Sequence, residues 1–195
     1  MRLAHLDGRA VLLTVDGSAI DIAQASEGRF GPDVAALSSG RFVVTWHQGD
    51  STVHAQVFNA DGSKSGAEIV VNDATDTPAN YNAYARVAAL ASGGFAVSWD
   101  GYPSGAAGGS GLDVMVQQFD AAGNKVDGVS IANSTKSSTQ YLPDIVGLTG
   151  SNFVVGWAGY DAESSTASTY GVFHQIFGTA GSLTRSAAPV LADLA

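Results

Sequence analysis

The chain has 195 residues, 45% of them hydrophobic and 14% charged, with a formal net charge of -9 and no cysteine. That is enough apolar material for one continuous core. The acidic balance and singly scattered Lys and Arg exclude a basic face for nucleic acid or an anionic bilayer, and the absent thiols exclude disulfides, thiolate nucleophiles and sulfur-held metals.

The N-terminal run MRLAHLDGRAVLLTVDG does not read as a signal peptide, because Asp7, Gly8 and Arg9 interrupt its short apolar stretch. No run of 18 apolar residues is present, so no membrane-spanning helix is expected. Within residues 1–31, AVLLTV at 10–15 and AIDIA at 19–23 flank an Asp16-Gly17 turn. Two short apolar runs around such a turn predict a hairpin. It resembles the second half of the units that follow, as in VFNADGS at 57–63, and is expected to complete a terminal sheet.

Three units follow, at 32–84, 85–142 and 143–195. They repeat one phrase: RFVVTW at 41–46, GFAVSW at 94–99 and NFVVGW at 152–157. Trp46, Trp99 and Trp157 align with Phe42, Phe95 and Phe153 upstream, and with Leu37, Leu90 and Leu148 before those. Downstream, Gln56, Gln117 and Gln175 align, then Phe58, Phe119 and Phe177. A regular internal period of this length points to a repeat architecture. Unit one predicts strands at 33–37, 41–47, 53–59 and 67–72, with a tight turn at Gly40. Phe42, Val44 and Trp46 share one strand face and Val43 and Thr45 the other, so both faces are apolar enough to pack. The expected fold is all-β: three four-stranded, propeller-like blades, with a β-prism or β-trefoil as the alternative, in one repeat domain.

The tryptophans and glutamines are read as structural, because each sits inside a strand at one register and buried amides need partners. The links between second and third strands differ. Unit one has HQGDST at 47–52, unit two a longer Gly-rich loop at 100–113, and unit three a Ser-rich loop at 158–170. Variable loops on one rim of a regular scaffold are where ligands usually bind. Candidate ligand-binding residues there are Asp50, Asp100, Tyr102, Asp113, Tyr160, Asp161 and Tyr170. Tyrosine beside carboxylates suits sugars. Calcium is the one ion such carboxylates would suit, and otherwise no metal or cofactor is expected. No short catalytic motif such as G-x-S-x-G or H-E-x-x-H occurs, so no catalytic residue is assigned.

PDVAALSSGRFVVTW at 32–46, QVFNADG at 56–62 and VVN at 70–72 resemble tandem repeats of bacterial hemolysin-type and adhesin exoproteins. That resemblance, spanning 32–183, implies propeller blades in an extracellular binding or structural module. The calcium-binding G-G-x-G-x-D repeat of such proteins is absent. Residues 1–33 resemble the start of the fumarylacetoacetate hydrolase family, whose metal-binding Glu and Asp cluster has no counterpart here. The function expected from sequence is a noncatalytic β-repeat binding module for carbohydrate or protein. The alternatives are a self-assembling exoprotein repeat and a divergent hydrolase. Three blades fall short of a closed ring, so a homodimer is expected.

Overall fold

A computed structural model describes residues 3–6, 9–13, 19–22, 29–49, 52–72, 82–102, 111–134, 138–161 and 169–178. It is built from antiparallel meanders. β1 (Leu3–Leu6), β2 (Arg9–Leu13) and β3 (Ala19–Asp21) form an N-terminal sheet. The predicted hairpin is β2–β3, and β1 adds a strand that the sequence reading did not contain. The Asp16-Gly17 turn lies outside the described residues.

Blade 1 holds β4 (Arg29–Ala36), β5 (Phe42–Gln48), β6 (Val53–Phe58) and β7 (Ile69–Val70). Blade 2 holds β8 (Asn82–Ala89), β9 (Phe95–Gly101), β10 (Asp113–Phe119) and β11 (Lys125–Ile131). Blade 3 has β12 (Gln140–Gly147), β13 (Phe153–Asp161) and β14 (Thr169–Phe177). Among the described residues, every ladder of these sheets stays within its own unit. The first strands of the blades lie side by side, β4 against β8 and β8 against β12. This places them innermost and sets the sheets radially, as blades rather than as a trefoil barrel.

Alternation along each strand gives every blade two faces. The front face points to the preceding sheet and carries the aromatic repeat. The back face points to the following sheet and is aliphatic. Phe42, Val44, Trp46 and Phe58 on the front of blade 1 are buried with Ile22 of the N-terminal segment. Val43, Val53, Ala55 and Val57 on its back pack against Phe95, Val97, Trp99 and Phe119 of blade 2. Ala96, Val114 and Val116 on the back of blade 2 meet Phe153, Trp157 and Phe177 of blade 3. The recurring Phe pairs stack across second and third strands, with centroids 5.0, 4.7 and 4.9 Å apart. Each copy of the repeated phrase thus fills the front face of its own blade.

All three innermost strands carry a bulge at the same repeat position, between Phe30 and Asp33, Ala83 and Arg86, and Tyr141 and Asp144. The residues there, Gly31, Tyr84 and Leu142, adopt left-handed backbone with φ of 58°, 51° and 53°. Only the first is a glycine, so Tyr84 and Leu142 hold a conformation unfavourable to side chains. The bulges bend the start of each inner strand toward the rim from which the variable loops emerge.

Candidate functional site on the loop-bearing rim

Blade 3 presents three tyrosines at this rim, one on each strand: Tyr141 on β12, Tyr160 on β13 and Tyr170 on β14. Tyr160 and Tyr170 are direct cross-strand partners. Their rings meet edge to face, with centroids 5.5 Å apart at 72°. Tyr141 lies 6.0 Å from Tyr170 at 43°. A hydrogen bond to the Tyr170 side chain pushes the Tyr141 phenol up to about 12, and desolvation and the neighbouring phenols add to the effect. Tyr160 and Tyr170 are both largely exposed. Adjacent aromatic faces edged by hydroxyls can stack on the C–H face of a ring and hydrogen-bond its substituents.

Tyr160 is held from behind by Gln140. The Gln140 Nε2 donates to the Tyr160 carbonyl (3.0 Å), while its Oε1 accepts from the Trp157 indole N–H (3.0 Å). A Cβ on Gly159 would fall 1.8 Å from that Oε1, which explains glycine before tyrosine here. Sequence reasoning found Tyr160 and Tyr170 but missed Tyr141 and Gln140. The missed signal was the repeat position of Tyr141, four residues before Ile145, where blade 1 has the exposed Phe30.

The other candidates separate. Tyr102, at the repeat position of Tyr160 in blade 2, is exposed, and among the described residues no ring contact joins it to the trio. Asp100 and Asp113 are wholly buried, which removes them from any solvent-facing ligand set. Asp100 Oδ2 accepts from the Leu142 backbone N–H (3.0 Å), tying blade 2 to the bulge of blade 3. Asp113 Oδ1 accepts from Asn133 Nδ2 (2.5 Å), and Asn133 Oδ1 in turn accepts from the Val114 N–H (2.8 Å). Asn72 accepts from Val53 in the same way in blade 1. Asp161 closes β13 opposite Thr169, and its side chain lies outside the described residues, as does Asp50. The three repeated glutamines all donate to backbone carbonyls: Gln56 to Val57 (2.9 Å), Gln117 to Gln118 (2.8 Å) and Gln175 to Ile176 (3.0 Å).

Blade 1 places different chemistry at its rim. His54 Nδ1 lies 2.7 Å from Glu68 Oε1, and its Nε2 lies 2.6 Å from Thr52 Oγ1 and contacts Gln48 Nε2. Glu68 thus favours the Nδ1–H tautomer and leaves Nε2 to accept the Thr52 hydroxyl. The ring is buried and stacks on Trp46 (5.8 Å, 13°), while Glu68 is exposed, so these groups run from the blade interior to its surface. Beside it, Phe30 stacks on His47 (5.5 Å), whose pKa is lowered by burial. Among the described residues no group of three His, Asp or Glu side chains is gathered as a cation site.

No family model matches the chain, and no curated protein does. Solved structures do. The haemagglutinin-neuraminidase of parainfluenza virus 5, solved with the ligand DANA, matches with a TM-score of 0.54 at 9% identity over 84% of this chain. A putative exo-β-1,3-galactanase from Bifidobacterium bifidum matches at 0.50, with 12% identity over 94% of this chain. A GH43 endo-arabinanase from Bacillus licheniformis matches at 0.47, with 14% identity over 95% of this chain and 71% of its own. The fold is a β-propeller. The chain spans about half of several matched structures, 48% of the neuraminidase and 54% of a Bacillus subtilis arabinanase, and 61% of the galactanase.

These matches correct the expectation of a noncatalytic module and of a protein that is no enzyme. The matched structures carry the names haemagglutinin-neuraminidase and putative exo-β-1,3-galactanase. The expectation rested on the lack of a short catalytic motif. A glycosidase needs only two carboxyl groups held across a cleft, and separate strands can bring these together without any local motif.

Proposed function

We propose that the chain is a glycan-processing propeller of the glycoside hydrolase type, with the tyrosine rim of blade 3 as its sugar-binding surface. The observation that carries this reading is the contact of Tyr141, Tyr160 and Tyr170 on three adjacent strands, with two of the rings exposed. The names of the matched propellers support it. The rings would hold the apolar face of a saccharide, and the phenols would hydrogen-bond its hydroxyls.

Cleavage takes one carboxyl group to protonate the leaving oxygen and a second to attack or to activate water. The chain offers Asp33 and Asp144 at equivalent positions of β4 and β12, and Asp161 next to Tyr160. Asp33 gives one oxygen, Oδ2, to the Val87 N–H (2.9 Å), and Asp144 stands exposed. The test is chromatographic analysis of galactan, arabinan and sialoside panels incubated with the chain and with Asp33→Asn, Asp144→Asn and Asp161→Asn. Shortened glycans whose release fails in at least one variant are expected. An inert chain, or three variants as active as the parent, would overturn the reading.

A further inference from the structure

Where β5 turns into β6, blade 1 carries a chain of polar groups with no counterpart in blade 2. Thr52 Oγ1 lies 2.6 Å from His54 Nε2, and His54 Nδ1 lies 2.7 Å from Glu68 Oε1. At the same repeat positions blade 2 has Asp113, Met115 and Val129, with Met115 wholly buried and Val129 packed against the core. Blade 3 has Gly171 and Phe173 in place of Thr52 and His54. The frame of blades 1 and 2 is otherwise shared: Asn72 accepts from the Val53 N–H as Asn133 does from the Val114 N–H. Apolar residues close these strands in blade 2, so packing does not require a buried imidazole here, and burying one costs free energy unless it is hydrogen-bonded.

We infer that Thr52, His54 and Glu68 are the nucleophile, the base and the orienting carboxylate of a second site, which cleaves carboxylic esters with a small acyl group. Both contacts fall within the reach that a nucleophile, its base and the group behind the base need. Thr52 is half-buried in the same turn as the exposed Gly49, so its hydroxyl can meet a substrate, while the His54 ring is buried. The Gln48 N–H donates to the Thr52 carbonyl (2.8 Å) and fixes the turn that presents the hydroxyl. Glu68 holds the proton on Nδ1, which leaves Nε2 to take the proton of Thr52 as Oγ1 bonds to the acyl carbon. The bond from that carbon to the ester oxygen then breaks, and Nε2 returns the proton to the departing alkoxide. Water repeats both steps on the acyl-threonine, which releases the carboxylic acid and restores the hydroxyl. Gln48 Nε2 lies 3.3 Å from Thr52 Oγ1 and contacts His54 Nε2. Once Nε2 is protonated it no longer accepts, so the Gln48 amide can turn its N–H to the oxyanion forming beside Oγ1. An ester suits this site better than an amide, because an alcohol departs with less acid help than an amine. The β-methyl of Thr52 crowds the attacking oxygen, which favours a small acyl group.

The inference uses no residue of the tyrosine rim and is independent of the sugar reading. Its test is release of p-nitrophenol from p-nitrophenyl acetate by the full chain, beside Thr52→Ala, Thr52→Ser, His54→Met and Glu68→Gln. Thr52 and Glu68 are not fully buried, and His54→Met copies blade 2, so circular dichroism should not change. The expected result is a kcat lowered at least about a hundredfold in Thr52→Ala and His54→Met, with Thr52→Ser still active. Glu68 acts through His54 as a positioning residue, so Glu68→Gln should lower kcat about tenfold and leave KM in place. A fluorophosphonate should add to Thr52 of the parent chain, located by mass spectrometry of its peptides, a result that needs no variant to fold. Release no faster than in buffer, a Thr52→Ala variant as active as the parent, or a label on any other residue would each overturn the proposal.

Discussion

Val53, Val114 and Val172 occupy one repeat position in three blades, and truncating each to alanine separates the effect of the stack from that of the residue. Val53 and Val114 are 0% exposed beneath the next blade, while Val172 is 48% exposed. Valine to alanine removes two methyl groups at roughly 0.8 kcal/mol each when fully buried, and the cavity adds to this. The two buried positions should therefore each lose about 2 kcal/mol. Val172, about half exposed, should lose well under 1 kcal/mol. In a chain of this size about 1 kcal/mol moves Tm by roughly 2–4 °C. Thermal melts at high dilution should thus show Val53→Ala and Val114→Ala lower by about 4–8 °C and Val172→Ala nearly unmoved. If Val172→Ala costs as much as Val114→Ala at high dilution, the assignment of faces is wrong.

Other expectations follow from single contacts. A Cβ on Gly147 would lie 2.1 Å from the Ala89 carbonyl oxygen, so Gly147→Ala must push β12 off β8 and should lower the melting temperature sharply. Gly128→Ala, with open space around its Cβ, should leave it nearly unchanged and serves as the control. Tyr170→Phe should return the Tyr141 phenol from about 12 toward its ordinary value, seen in an ultraviolet pH titration. A Tyr141 titration that ignores this change would deny the hydroxyl contact. Asp120 has its pKa lowered by hydrogen bonds from Asn124, then from Ala122 and Gly123. A depressed carboxylate stabilises the fold above its unfolded value near 3.8, and that contribution fades as pH falls through the lower folded value. Carboxyl NMR should show Asp120 titrating below 3.8, and a value at or above it would contradict the turn geometry.

The stack was legible because its signal is periodic. Trp46, Trp99 and Trp157 mark one face of one strand three times, and a residue repeated at fixed register inside apolar alternation has few roles besides packing. The site was less legible because it depends on three-dimensional placement. Asp100 and Asp113 read as loop carboxylates, since both border the long Gly-rich segment; instead Asp100 lies near the end of β9 and Asp113 opens β10, both are buried, and they satisfy backbone and amide donors. Tyr141 does not lie in a variable loop at all. It reaches the rim because β12 runs past the left-handed Leu142, a bulge that no glycine announces. The Thr52–His54–Glu68 arrangement was hidden likewise, as Glu68 comes from beyond the β6 turn and blades 2 and 3 place Met115 and Phe173 where His54 stands.

The proposed role of the tyrosine rim is to hold glycan chains. The most direct measurement compares turnover by the chain with that by Tyr160→Ala and Tyr170→Ala, on whichever panel glycan it shortens. The expected result is products from the parent chain and a KM raised at least about tenfold in both variants, the loss of roughly 1.4 kcal/mol of binding. Unchanged KM and kcat in both variants would contradict it, and so would a parent chain that shortens none of the glycans.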